Sequence, residues 1–417
     1  MVSSETLRIA VIGDPHFYSS KEGGRSPISH ITVDSKGEFE NPKPQQHPWQ
    51  DLKDLLRREA ISADILLCVG DITYGADRIG LKKAWKELNE LALQLSVKVL
   101  VAATGNHDIM SRSTAEKVGL DPVKALSESV GLFEPLKLLD PAYPIVEVKD
   151  GKTVGNRALR TKYFGDYVAL FENEECRILV LNSCCEHGAD AHQHERGSFP
   201  KSAQDALLED LGSSLTPKIN VLVCHHPPEP HSEHGLGGHD FIENGEALMK
   251  NLELHGSWLV VHGHKHHGRI TYGKGTSSSP IIFAASSLGM HLDTSVDGMR
   301  NQFYCLDVGI TRTTRLIGTV QAWDWYMGLG WTRSAPKKGG IYDGCGFGPR
   351  MHAEEIALAI ANMVPCSWAQ AVQTMPELRY LTPDEMKILE RRLAISHGIV
   401  VEPTDNGYWS LLAQGVK

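Results

Sequence analysis

An α/β fold is predicted for the larger, amino-terminal part of this chain from two features of its patterning. Short apolar runs without polar alternation recur, as strands covered on both faces require. Segments of helical periodicity separate them. Leu7–Gly13 reads as the first buried strand, followed by a helix at Trp49–Ala60, a strand at Ala63–Gly70, a helix at Leu81–Leu95 and a strand at Val97–Ala103. A second series has strands at Cys176–Asn182, Val221–Cys224, Trp258–Val261 and Pro280–Ala285, with helices at Ser202–Leu211 and Gly245–Leu254.

Two segments interrupt this rhythm. Residues 17–47 are long for a connection and contain a candidate hairpin from His30 to Glu40, so a lid or specificity loop is expected there as readily as a surface decoration. From about Val320 the texture changes. Trp323, Trp325 and Trp331 crowd together, and 334–349 is rich in Gly, Pro and Lys. Helices are expected at Ala353–Met363 and Ser367–Thr374, where Ile356, Leu358, Ile360 and Met363 need a surface to cover. Thr382-Pro383-Asp384-Glu385 forms a capping box with proline at the first helical position. The helix it opens should stop at Gly398. A hairpin is expected from Ile399–Glu402 and Tyr408–Leu412 through Asp405-Asn406-Gly407. The division taken is a domain at 1–319 and a mostly helical accessory region at 320–417. That region is expected to pack on the domain and shape substrate access or an oligomer or protein contact, with packing on itself as the alternative, and to supply no metal ligand.

Composition narrows the class. With 41% hydrophobic and 22% charged residues among 417, the chain is an ordinary globular protein and not a disordered or collagen-like one. Net charge is −9, which weighs against a sequence-independent nucleic-acid binder. No apolar run reaches the roughly 18–20 residues that cross a bilayer, so no membrane partner is expected. The start, Met1-Val-Ser-Ser-Glu, is not read as a secretory signal. Eight scattered cysteines without a C-x-x-C pair read as reduced thiols, hence a cytoplasmic location.

Histidine carries the functional signal. Ten of the twenty lie between His225 and His267. The polar clusters are Gly13-Asp14-Pro15-His16, Gly70-Asp71, Gly105-Asn106-His107-Asp108, His225-His226-Pro227 and Gly263-His264-Lys265-His266, each just after an expected strand. Ligands of α/β folds gather at the carboxyl ends of strands. Carboxylate, imidazole and amide oxygen without thiolate suit hard or borderline divalent metals.

These five clusters, in this order, resemble the calcineurin-like metallophosphoesterases, whose pattern is D-x-H, G-D, G-N-H-D/E, H before proline, and G-H-x-H. The resemblance runs from about Arg8 to Phe283. It implies an αββα sandwich and two divalent ions (manganese, iron, zinc or cobalt). One ion would be held by Asp14, His16, Asp71 and His266, the other by Asp71, Asn106, His225 and His264, with Asp71 shared. His226 is the lesser alternative to His225. It further implies attack on phosphorus by a hydroxide between the ions, with His107 clamping a phosphoryl oxygen or protonating the leaving oxygen and Asp108 orienting His107. Gly13, Gly70, Gly105 and Gly263 are expected to let the backbone turn close to the metals.

Gly70-Asp71-Ile72-Thr73-Tyr74 also matches the G-D-x-x-Y of purple acid phosphatases. With His16 present, Tyr74 is expected as a wall residue. His231 and His234 lie close enough after His225 to contact substrate. The reading is a phosphodiesterase acting on a cyclic nucleotide or similar small diester. A nuclease is the rival, and an inert scaffold of the same fold ranks below both.

Overall fold

The computed structural model describes residues 2–19, 28–111, 131–188, 195–212, 218–231, 240–275, 279–292, 298–350, 352–364, 366–403 and 409–413. Two sheets dominate. In the larger, Val2–Ile12 is central, parallel to Ile65–Cys68, which in turn is parallel to Val99–Ala102. The hairpin Ile145–Lys149 and Lys152–Gly155 extends that side. In the second sheet Cys176–Leu181, Ile219–Val223, Trp258–His262 and Ile281–Ala284 run parallel, with antiparallel edges Val168–Glu172 and Arg269–Tyr272.

The period-2 alternation of the second sheet shows how the layers stack. Ile178, Val180, Val221, Val223, Leu259 and Val261 join the main core with Ile9, Val11 and Leu67 of the large sheet. Their neighbours Leu179, Leu222 and Val260 instead meet Leu207 and Leu248 of the helices Lys201–Leu211 and Gly245–Leu254. On the other side Pro48–Arg58 and Arg78–Gln94 bury Trp49, Leu52, Trp85 and Leu88 in the main core. The result is the αββα sandwich expected.

The boundary expected at 319/320 is corrected. It falls inside the strand Leu316–Tyr326, which pairs antiparallel with Gln302–Thr311 and continues the large sheet beside Val2–Ile12. Gly330–Arg333 and Gly346–Phe347 also pair with it. The tryptophans lie over the first helix: Trp325 Nε1 donates to Asp51 (2.9 Å), Trp331 Nε1 to the Pro48 carbonyl (2.9 Å) and Trp323 Nε1 to Glu59 (3.3 Å). The aromatic cluster is therefore part of the sandwich and not the start of an appendage.

The separate unit begins near residue 352. Its helices Ala353–Ala361, Trp368–Thr374 and Pro383–His397 and the three-stranded sheet of Cys366–Ser367, Trp409–Ala413 and Ile399–Pro403 have their own core, including Ile356, Ile360, Leu381, Met386, Leu389 and Leu393. Ser367 and Thr382 form capping boxes, and Gly398 takes the left-handed cap (φ 64°). The terminal strands pair as expected, with their turn outside the described residues. Leu358, expected to be covered, is 56% exposed.

In the 17–47 segment, Thr32–Val33 pairs with Tyr18–Ser19, and Val33 bridges Phe39. Ile31 and Val33 are buried, and Ser29 bridges Met290. The described part is thus anchored to the core. All eight cysteines are free thiols. No helix among the described residues is long and apolar enough to cross a membrane.

Candidate metal centre

The carboxyl ends of Val2–Ile12, Ile65–Cys68 and Val99–Ala102 meet those of Ile219–Val223 and Trp258–His262 where the two sheets abut. The turns after them carry all seven expected ligands. Around one side of the Asp71 carboxylate, His16 Nε2 lies 3.6 Å from Asp71 Oδ2 and 3.1 Å from His266 Nε2, which is 3.7 Å from Asp14 Oδ2. On the other side, His225 Nε2 lies 3.4 Å from Asp71 Oδ2, 3.0 Å from Asn106 Oδ1 and 3.2 Å from His264 Nδ1. Asp71 Oδ2 thus stands between two nests of donors.

The backbone is bent to achieve this. Asp14, His16, Asp71, His264 and His266 all have positive φ, from 32° to 72°. Each such position costs a non-glycine residue about 1–3 kcal/mol. The turns also press together. A Cβ on Gly105 would lie 2.1 Å from Asp71 Oδ1, and one on Gly263 would lie 2.4 Å from Asp14 Oδ1. Only glycine lets these chains approach the carboxylates.

The electrostatics suit a bound cation. Burial raises the pKa of Asp14 well above the carboxylate range. Burial and then the charge of Asp14 do the same to Asp71. Among the described residues their ion-pair partners are all histidines. Burial first, then mutual repulsion, holds His16 and His264 well below their usual pKa, and His266 falls to about 3. Burial does the same to His225. Neutral imidazoles beside buried carboxylates are groups that could hold a metal ion. The His225 tautomer fits as well. Its Nδ1 donates to the Val69 carbonyl (3.0 Å), leaving the Nε2 lone pair facing Asp71 and Asn106. Asp14 Oδ1 and His16 Nδ1 are buried without hydrogen-bond partners.

The remaining candidates sort clearly. His226 turns to Ser183, with Nδ1 2.8 Å from its Oγ, and the ring packs against His264 at 4.6 Å between centroids. His225 therefore takes the position beside Asp71. His107 is half-buried at the edge of the site, its N–H donating to Asp71 Oδ1 (2.8 Å). Asp108, expected to orient His107, instead accepts from the Thr73 N–H (3.0 Å) and the Gly105 N–H (2.8 Å). It ties the two metal turns together, and burial pushes its pKa up to about 7. Tyr74 is a wall residue, its ring against His107 and His16. His231 faces His267, Nε2 to Nδ1 at 3.0 Å, and does not join the ligand nitrogens. His234 lies outside the described residues.

Sequence reasoning missed Ser111 and His187. Ser111 Oγ donates to the Asn106 carbonyl, and His187 Nδ1 is 3.1 Å from that hydroxyl. Neither stands in a patterned cluster, so nothing in the sequence marks them.

The profile of the calcineurin-like phosphoesterase family matches residues 7–268. A second profile, wHTH-Calcineurin_assc, matches residues 345–394, where the three helices of the small unit form a winged helix-turn-helix. No curated protein matches the chain. Among solved structures, Vacuolar Protein Sorting 29 from Cryptosporidium parvum is 10% identical, with a TM-score of 0.31 over 78% of this chain and 93% of that one. A second is 11% identical, with a TM-score of 0.35 over 77% of this chain and 100% of the other. The profile match covers more than half of the chain and includes every turn that meets at Asp71, so the chain belongs to the calcineurin-like phosphoesterase family.

Proposed function

We propose that this protein is a phosphodiesterase that hydrolyses a small diester, such as a cyclic nucleotide, at a pair of divalent ions. The observation that carries the reading is the convergence of six donor side chains from four turns on the Asp71 carboxylate. Asp14, His16 and His266 would hold one ion and Asn106, His225 and His264 the other, with Asp71 shared. Bound there, the ions would supply Lewis-acid charge for the phosphoryl oxygens and a water of lowered pKa.

The chain's own groups do the rest. Val69 fixes the His225 tautomer. Asp108 and the His107 N–H hold the Asp71 turn against the Asn106 turn. The His107 side chain stands beside the nests and donates a proton to the leaving oxygen, the step a poor leaving group needs most. No serine or cysteine nucleophile is required.

The winged helix-turn-helix is the one observation that favours a nuclease, since such modules place their third helix in DNA. Two features count against it. The module's matched residues hold slightly more acidic than basic groups. The start of its third helix is already engaged by the same chain, where the partly exposed Asp384 pairs with Arg269. The test is hydrolysis of bis-p-nitrophenyl phosphate, p-nitrophenyl phosphate, cyclic mononucleotides, and single- and double-stranded DNA, after chelation and reconstitution with manganese, iron, zinc or cobalt. Diester turnover that disappears with chelator and returns with metal is expected. Turnover of DNA but not of small diesters would replace this reading with the nuclease.

A further inference from the structure

We propose that Ser111 is a positioning residue for Asn106, and that through Asn106 it sets how tightly the His225 and His264 side of the centre holds its ion. The inference rests on the two-ion reading above and extends it to a side chain outside the donor set. Around the Asn106 turn, the carbonyls of Gly105, His107 and Ile109 accept from backbone N–H groups, those of Asp108 (3.2 Å), Ala76 (2.8 Å) and Ser111 (2.8 Å). Asn106 differs. Its carbonyl accepts from the Ser111 hydroxyl, so a side chain reaches the backbone of a ligand candidate. Ser111 is buried, and His187 Nδ1 lies 3.1 Å from its oxygen. His187 is buried too, and its Nε2 donates to the Arg196 carbonyl at 2.7 Å.

The Asn106 carbonyl and the His107 N–H belong to one planar peptide unit and point from opposite edges of it. The N–H edge is pinned, because it donates to Asp71 Oδ1 at 2.8 Å. The Ser111 hydroxyl pins the carbonyl edge. Held at both edges, the plane resists rocking about the line between its two Cα atoms, and the direction in which Asn106 projects its side chain is set with it. That direction aims the carboxamide, whose Oδ1 lies 3.0 Å from His225 Nε2. Without the hydroxyl, the bond to Asp71 becomes a pivot, and the carboxamide swings with the plane. Asp14, His16 and His266 come from other turns, so the loosening falls on the Asn106 side.

Calorimetric titration of the chelator-stripped full chain with manganese tests this. Two binding steps are expected in the wild type. Asn106→Ala marks the step that belongs to the His225 side, and His16→Ala marks the other. Ser111→Ala should weaken the step marked by Asn106→Ala roughly 10-fold, the scale expected when the partner that orients a metal ligand is removed. The step marked by His16→Ala should stay as in the wild type. Ser111→Cys, which fills the same space with a weak donor, should bind as Ser111→Ala does. A Ser111→Ala protein that binds as the wild type, one that weakens both steps alike, or a Ser111→Cys protein as tight as the wild type overturns the proposal alone. A wild type that takes up fewer than two ions overturns the two-ion reading and this proposal with it.

Discussion

The metal turns and the winged helix-turn-helix are built by opposite rules. In the turns, five of the seven ligand candidates sit in left-handed backbone that favours glycine, carboxylates are buried without lysine or arginine, and glycines are squeezed to a point a methyl group could not occupy. In the described residues of 352–413, the one left-handed residue is Gly398 at a helix end. There both capping boxes close, and an apolar core of its own is covered. Local preferences are satisfied in the described residues of the small unit, and they are broken in the turns that gather the carboxylates and imidazoles. The strain of the turns is borne by the sandwich that frames them.

The sharpest way to break this comparison is to cut the chain. Ending it at Thr319 removes most of the strand Leu316–Tyr326 and the three tryptophans over the first helix. That product should be insoluble. Ending it after Arg350 keeps the sheet complete and removes only the unit with its own core. It should stay folded and retain metal-dependent turnover, as judged by circular dichroism and hydrolysis of bis-p-nitrophenyl phosphate. An insoluble 1–350 product would show that the two regions are one folding unit.

The next largest effect lies inside the centre. Asp71→Asn should lower the occupancy of both nests together, whereas His16→Ala should chiefly empty the Asp14 and His266 side. Elemental analysis of the reconstituted variants separates the two patterns. Full retention of metal by Asp71→Asn would break the shared-carboxylate geometry.

The same contrast explains what could be read from the sequence. The gathering of the seven candidates was legible because each follows a strand end, and a side chain's chemistry is visible in its residue type. The winged helix's helices were legible from caps: Thr382 opens and Gly398 closes the helix Pro383–His397 as expected. What escaped was pairing. Gln302–Thr311 is buried over most of its length, and the Asp297-Gly298 turn signal shortly before it went unused. Asp150-Gly151, at positive φ, did mark the hairpin of Ile145–Lys149 and Lys152–Gly155, and the signal went unused. The two-residue strand Cys366–Ser367 is too short for any pattern, so three helices did not read as a winged helix. Asp108 escaped for a different reason. The same spacing in Gly-Asn-His-Asp fits a carboxylate aimed at a side chain or at backbone amides, and only the fold chooses between them.

The smallest effect is expected at the seam between the regions. Arg269 donates through Nε and Nη2 to Asp384 Oδ2 at 3.1 and 2.9 Å, and through Nη1 to the His231 carbonyl at 2.9 Å. The Tyr272 hydroxyl donates to Glu385 at 3.2 Å. The ion pair is more than a third exposed on both sides, so screening leaves it about 0.2–1 kcal/mol. Asp384→Ala should therefore lower stability to urea only slightly, and less so in high salt. Arg269→Ala should cost more, because it also removes the donor of the His231 carbonyl at the end of the segment that begins with His225. If the winged helix rests on the sandwich without supporting the centre, Asp384→Ala leaves kcat and KM unchanged, while Arg269→Ala alone shifts KM. A kinetic change in Asp384→Ala as large as that in Arg269→Ala would mean that the winged helix itself helps to hold the His225 turn, and the separation of the two regions would end at this seam.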